Sequence, residues 1–287
     1  LLRWDWAGKT VLHYAASQSQ EHVEVILKSL ETGSPEILNL LKAKDKEGRT
    51  VLHYAITNND TETLAYLLKS AKNVDGSSNY DELCEVLKTQ DNDGKTVLHY
   101  ATEQGAHHVH AILTLFNPDS CEILELLKVQ DEHGATIFHS ALESTGIHVP
   151  KLLGRDEPKS VFQDTVTSKG TETLIYLLKS VECVANGNNY EELCAILNIQ
   201  DYRGKTVLHY ATERGLHYVR VILKSFKPGC PEILRLLKMR DIPNPKPLRV
   251  RGKEELTEMD WWEKPAFHYA CRENFDGMMT NKSRPVV

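Results

Sequence analysis

The chain is poor in the features that usually announce a function. It has six cysteines in 287 residues and no Cys-x-x-Cys pair among them. That spacing excludes a disulfide framework and reads as reduced, intracellular thiols. No apolar run approaches the ~18 residues that a membrane-spanning helix needs. Basic residues number 34 against 40 acidic ones, for a net charge of −6. The basic excess typical of nucleic-acid binding is therefore missing. There is no Gly-rich phosphate loop, no Gly-x-Ser-x-Gly and no His-Glu-x-x-His. The 41% hydrophobic and 26% charged content excludes wholesale disorder. The chain opens Leu1-Leu2-Arg3-Trp4 with no methionine and no signal-peptide pattern, so it reads as a fragment or processed product.

What is present is a repeat. Gly-x-Thr-Val-Leu-His-Tyr-Ala stands at 8–15, 48–55, 94–101 and 204–211. A diverged copy, Gly-Ala-Thr-Ile-Phe-His-Ser-Ala, lies at 134–141, and a remnant, Pro-Ala-Phe-His-Tyr-Ala, at 265–270. Asp5, Asp45, Asp91, Asp131 and Asp201 each precede the repeat threonine by five residues. From Thr10, Thr50, Thr96, Thr136 and Thr206 the periods are 40, 46, 40 and 70 residues. Periods of this size mark stacked-repeat architectures. The short copies share Glu-Ile-Leu at 36–38, 122–124 and 232–234, and the long ones share Glu-Leu-Cys at 82–84 and 192–194. The order short, long, short, long, short points to duplication of a two-repeat unit.

The 70-residue copy reads as a 46-residue copy with an insertion at 145–168. A second insertion, Pro-rich and basic, covers 242–260, and 261–287 reads as a degenerate repeat or cap. Five copies starting near 5, 45, 91, 131 and 201 thus fill residues 1–241.

Within one copy, Asp5-Trp6-Ala7-Gly8 is a turn signal. Thr10 is placed to cap a first helix, along which Leu12, Tyr14 and Ala15 face inward. Ser19 or Gln20 ends that helix, and Gly105 and Gly215 do so in the third and fifth copies. Val23, Ile26 and Leu27 mark a second helix by their i, i+3, i+4 spacing. Ser34-Pro35-Glu36 signals a third, with Pro at its first position. Asn79 with Glu82 and Asn189 with Glu192 predict capping boxes for the corresponding helices. Ile37, Leu38, Leu40 and Leu41 form its apolar stripe. No single copy can bury its apolar face, so the copies must stack.

Asp91, Gly94, Thr96, Leu98, His99 and Ala101, followed by Gly105, Val109 and Leu113, show a pattern that resembles the ankyrin repeat. Valine stands where that family commonly has proline after the threonine. The period exceeds the usual ~33 residues by about the length of the third helix. The resemblance implies an all-α, ankyrin-type solenoid with finger turns. It also implies that the repeated histidines (His13, His53, His99, His139, His209 and His268) bond loop backbone between fingers rather than serve as ligands or bases. Catalytic residues, metal ligands and cofactors are expected to be absent.

Other candidates for chemistry are weaker. His107, His108 and His110 lie at helical spacing but lack further zinc ligands, and read as a solvated helix start. Cys84 and Cys194 occupy equivalent places and read as buried packing residues. Cys271 follows His268 by three residues, a spacing that a repeat histidine explains without catalysis. Function must then rest on the variable positions: finger tips, the residue before the threonine, and the pair before the helix break. The predicted partner-binding residues are Trp6, Lys46, Arg49, Asn92, Lys95, Glu103, Gln104, His133, Tyr202, Arg203, Lys205 and Arg214, on an extended concave face. All four tryptophans, Trp4, Trp6, Trp261 and Trp262, lie near the ends and are expected to cover core edges or to meet other chain parts.

The resulting expectation is a non-catalytic scaffold or adaptor, monomeric and cytoplasmic, with a protein partner, no nucleic acid and no membrane. The alternative is a regulatory or substrate-recruiting segment of a larger enzyme or secreted bacterial effector acting in a host cell, with its catalytic domain elsewhere.

Overall fold

The computed structural model describes residues 4–30, 35–72, 80–116, 121–143, 168–184 and 190–239. Residues 145–167 of the insertion expected at 145–168, the basic stretch 242–260, the segment 261–287, Asn79, Asn189, His268 and Cys271 lie outside these residues. Among the described residues there are fifteen helices and no strand.

Each copy contributes three helices, as its apolar spacing requires. The first has α1 (Val11–Ala16), α2 (Gln20–Lys28) and α3 (Pro35–Lys42). The second has α4 (Val51–Thr57), α5 (Thr61–Lys72) and α6 (Tyr80–Leu87). The third has α7 (Val97–Gln104), α8 (Ala106–Leu113) and α9 (Cys121–Leu127). The fourth has α10 (Ile137–Glu143), α11 (Ser168–Val184) and α12 (Tyr190–Leu197), and the fifth α13 (Val207–Arg214), α14 (Leu216–Lys224) and α15 (Pro231–Lys238).

The chain divides into two compact units, Leu1–Asn189 and Tyr190–Val287. In the first unit like helices stack on like. First helices pack as α1 on α4, α4 on α7 and α7 on α10; second helices as α2 on α5, α5 on α8 and α8 on α11. The third helix explains the long period: α3 packs on α4, α5 and α6 of the following copy, and α6 on α9. Its stripe Ile37, Leu38, Leu40 and Leu41 is buried, as are Leu83, Cys84, Val86 and Leu87. Ala55 and Ala101 are fully buried, and their small side chains let first helices approach closely. In the second unit α13 packs on α14 and α12 on α15.

Stacking decides the fate of equivalent residues. Val51 and Val97 are wholly buried, whereas Val11 is 46% exposed on the first copy. Trp4 and Trp6 are exposed, Trp6 at 84%. These two do not cover core edges, one of the two roles expected of the end tryptophans; Trp261 and Trp262 lie outside the described residues.

Candidate functional site

Every finger is folded around its aspartate. Asp45 Oδ1 accepts the backbone N–H groups of Glu47 (2.9 Å) and Arg49 (2.8 Å), and Gly48 N–H closes the turn onto the Asp45 carbonyl. The same pair of bonds recurs at Asp5, Asp91, Asp131 and Asp201. The other carboxylate oxygen is taken by a tyrosine nine residues on. Tyr14, Tyr54, Tyr100 and Tyr210 each donate to it at 2.6–2.7 Å. Tyr14 was expected to face inward; it is half exposed, whereas Tyr54 and Tyr100, which make the same bond, have the histidine of the copy before against their rings, and Tyr210 is buried. The fourth copy has Ser140 at this place and lacks the bond from a tyrosine.

Glutamine adds a tie that sequence reading missed. Gln90, Gln130 and Gln200, each just before the finger aspartate, donate to the carbonyls of Gly94, Gly134 and Gly204. The available signal was the Gln-Asp pair at 90–91, 130–131 and 200–201. The nine-residue Asp–Tyr spacing in four copies was the corresponding signal for the tyrosine bond.

His13, His53 and His99 are structural, as the resemblance implied for the whole set. Thr10 N–H donates to His13 Nδ1 at 3.0 Å, and the Thr10 hydroxyl lies 2.8 Å from the same atom. An Nδ1 that accepts places the proton on Nε2. That Nε2–H donates to the Arg49 carbonyl of the next finger at 3.3 Å. His53 reaches Lys95 O and His99 reaches Ala135 O in the same way. Histidine thereby fills the role usually held by Glu or Gln in a capping box. Burial holds His13, His53 and His99 below the ordinary imidazole pKa, His53 at about 4. For His53, burial outweighs Asp91 and the Lys95 carbonyl, which pull the other way. These rings are neutral positioning groups, not bases at neutral pH.

Fingers are also linked directly. Lys46 N–H donates to Ala7 O, Asn92 N–H to Glu47 O and Glu132 N–H to Asp93 O, at 2.9–3.0 Å. The turn glycines make this approach possible. A Cβ on Gly94, which has φ +72°, would lie 2.4 Å from the Glu132 nitrogen.

The predicted binding residues sit on this framework in different ways. Trp6, Lys46, Asn92, Glu103, His133 and Arg203 are exposed. Arg49, Lys95, Gln104, Tyr202, Lys205 and Arg214 are half-buried. Asn92 bridges fingers, its Nδ2 donating to Lys46 O at 2.9 Å. Lys46 Nζ lies 5.8 Å from the Trp6 ring centre. Arg49 pairs with Glu47 and Asp45, donates to the Tyr54 hydroxyl at 3.0 Å and lies over the Tyr54 ring. Lys95 pairs with Glu103 and Lys205 with Glu213, both at 2.6 Å. Trp6, Lys46, Arg49, Asn92, Lys95, Glu103, Gln104 and His133 belong to the first unit. Tyr202, Arg203, Lys205 and Arg214 belong to the second.

The histidine cluster departs from the expected solvated helix start. His107 and His110 are exposed on α8, but His108 is wholly buried. His110 lies against Tyr176 of α11, with ring centres 5.3 Å apart. Among the described residues no group of three or more His, Cys, Asp or Glu side chains is arranged to hold a metal. Nor is any helix among them long and apolar enough to cross a membrane. Cys84 and Cys194 are buried, and burial raises both thiol pKa values.

Residues 2–80 and 30–124 match the family model described as ankyrin repeats (3 copies). No curated protein matches the chain. The matched copies share the finger aspartate, the Thr-His cap and the paired helices with the copies that follow. The chain thus carries ankyrin repeats over residues 2–124.

Proposed function

We propose that this chain is a non-catalytic scaffold or adaptor that holds a protein partner on its fingers and adjoining helix ends. One observation carries the reading. The repeated side chains able to do chemistry, Asp, Thr, His and, in four copies, Tyr, are held by the framework, while most of the side chains that vary between copies are exposed or half-buried at the surface. Ankyrin repeats serve in general as protein–protein interaction modules, which supports the same conclusion. The binding residues are Trp6, Lys46, Arg49, Asn92, Lys95, Glu103, Gln104 and His133 on the first unit and Tyr202, Arg203, Lys205 and Arg214 on the second. Trp, Tyr and Arg are the residue types that dominate binding energy at interfaces. The protein acts as a monomer in the cytoplasm, its own or that of a host cell.

The test is affinity capture with the wild-type chain and with a variant carrying Trp6→Ala, Arg49→Ala and Tyr202→Ala. Loss of a specific partner by a variant with an unchanged helical spectrum supports the assignment. Equal recovery of that partner removes it.

A further inference from the structure

The finger row of the first unit changes charge sign along its length. Its fingers are joined by the backbone bonds from Lys46 to Ala7, Asn92 to Glu47 and Glu132 to Asp93, so the variable residues form one continuous track. At the first two copies the track is cationic and aromatic. Lys9 Nζ lies 4.9 Å from the Tyr54 ring centre and 5.7 Å from that of Tyr14, and Lys46 covers Trp6. In the third copy the equivalent lysine, Lys95, is matched by Glu103, seven residues after the threonine. That position is Ser17 in the first copy and Thr57 in the second. The first copy thus lacks the glutamate that neutralises Lys95, while in the second the arginine at this place, Arg49, is matched by Glu47 and Asp45 and the cation Lys46 lies over Trp6. Over the third and fourth copies the exposed charged residues at the variable positions are acidic, Asp93, Glu103, Glu132 and Glu143, of which Glu103 is paired with Lys95.

We infer that the partner segment lying along this track is a polypeptide with a charge change of its own, acidic over Trp6, Lys9 and Lys46 and basic over Asp93, Glu103 and Glu132. This rests on the protein-binding reading above and adds the chemistry of the partner and the direction in which it lies. Complementary charge across an interface fixes register and suppresses wrong partners. A uniform polyanion such as a nucleic acid gains at one end of the track and is repelled at the other. Only a chain whose charge alternates in blocks gains at both. The aromatic rings holding Lys9 and Lys46 limit their rotamers, so less side-chain freedom is lost on binding.

The test uses three synthetic peptides of equal length at low salt: a glutamate block joined to a lysine block, glutamate throughout, and lysine throughout. A single-stranded DNA oligonucleotide is the fourth probe. The block peptide is expected to bind the full chain at least about tenfold tighter than either uniform peptide or the DNA. Lys9→Gln with Lys46→Glu is expected to weaken it about tenfold, and so is Glu103→Gln with Glu132→Lys, each with an unchanged helical spectrum. Combining all four changes moves the charge pattern toward its reverse and should recover much of the lost affinity, because the peptide can lie the other way round. Equal binding of block and uniform peptides overturns the inference, as does tighter binding of DNA or indifference to both double variants. A partner captured by the chain, lost with the Trp6, Arg49 and Tyr202 changes but insensitive to the charge variants, would leave the scaffold reading standing and this inference refuted.

Discussion

The Tyr100 hydroxyl donates to Asp91 Oδ2 at 2.6 Å, closing a finger whose other carboxylate oxygen already holds two backbone N–H groups. Asp91 is buried, and burial together with the Asp91 carboxylate pushes the Tyr100 phenol pKa well up. Tyr100→Phe leaves a buried carboxylate oxygen short of its donor and should cost about 1–2 kcal/mol. In the first copy the Tyr14–Asp5 bond is solvent-exposed, so Tyr14→Phe should cost less, because water can replace the lost donor. Urea unfolding midpoints distinguish the two. Equal losses at both positions would refute the dependence on burial.

Gly94 allows two effects to act together. Its φ of +72° disfavours any Cβ, and that Cβ would meet the backbone of Glu132 at 2.4 Å. Gly94→Ala should therefore destabilise by about 2 kcal/mol or more. Gly215, at φ +138°, has nothing within 4 Å of its added Cβ, so Gly215→Ala should be the milder change. Thermal unfolding of both variants provides the comparison, and the reverse order would contradict the close approach of the fingers.

The neutral histidines set a pH dependence. His53 has a folded pKa of about 4, against an ordinary value of 6.5. The unfolded chain therefore binds a proton below about pH 6.5 that the folded chain refuses until about pH 4. Stability is fully present above pH 6.5, falls as pH drops through this window, and levels off below pH 4. For His53 alone the loss is on the order of 3 kcal/mol. His13 and His99 are shifted in the same direction, again by burial. Melting temperatures measured from pH 7 to pH 4 should decline continuously, and a flat profile over that range would show that these rings charge without cost.

Thiol reactivity should follow burial. Cys84 and Cys194 are buried with raised pKa values, while Cys230 is half exposed. Iodoacetamide labelling at mildly alkaline pH, read peptide by peptide, should modify Cys230 before Cys84 and Cys194. Cys84 and Cys194 should label at comparable rates only after denaturant is added. Fast native-state labelling of Cys84 would mean that the third helices are not packed as described.

The sequence by itself determined the repeat, its three helices and its framework. Gly-x-Thr-Val-Leu-His-Tyr-Ala is local: cap, turn and apolar face all lie within one copy, and the Thr-His cap closes over three residues. The third helix was legible for the same reason, because Pro35 and the stripe from Ile37 to Leu41 signal it without help from neighbours. The tertiary structure decided what equivalent residues do. Val11 and Val51 belong to the same motif, yet only Val51 has a preceding copy against it and is buried. Tyr14 resembled a core residue in the helical pattern; it is half exposed, while the rings of Tyr54 and Tyr100 are covered by His13 and His53 of the copy before. His108 looked like part of a solvated cluster until the packing of α8 buried it. Lys9 gained two aromatic rings, one of them from the next copy, a pairing between residues 45 positions apart that no spacing within one repeat encodes. Local hydrogen bonds and periodicity fix a repeat, but burial and charge partners at its surface come from the neighbouring repeat.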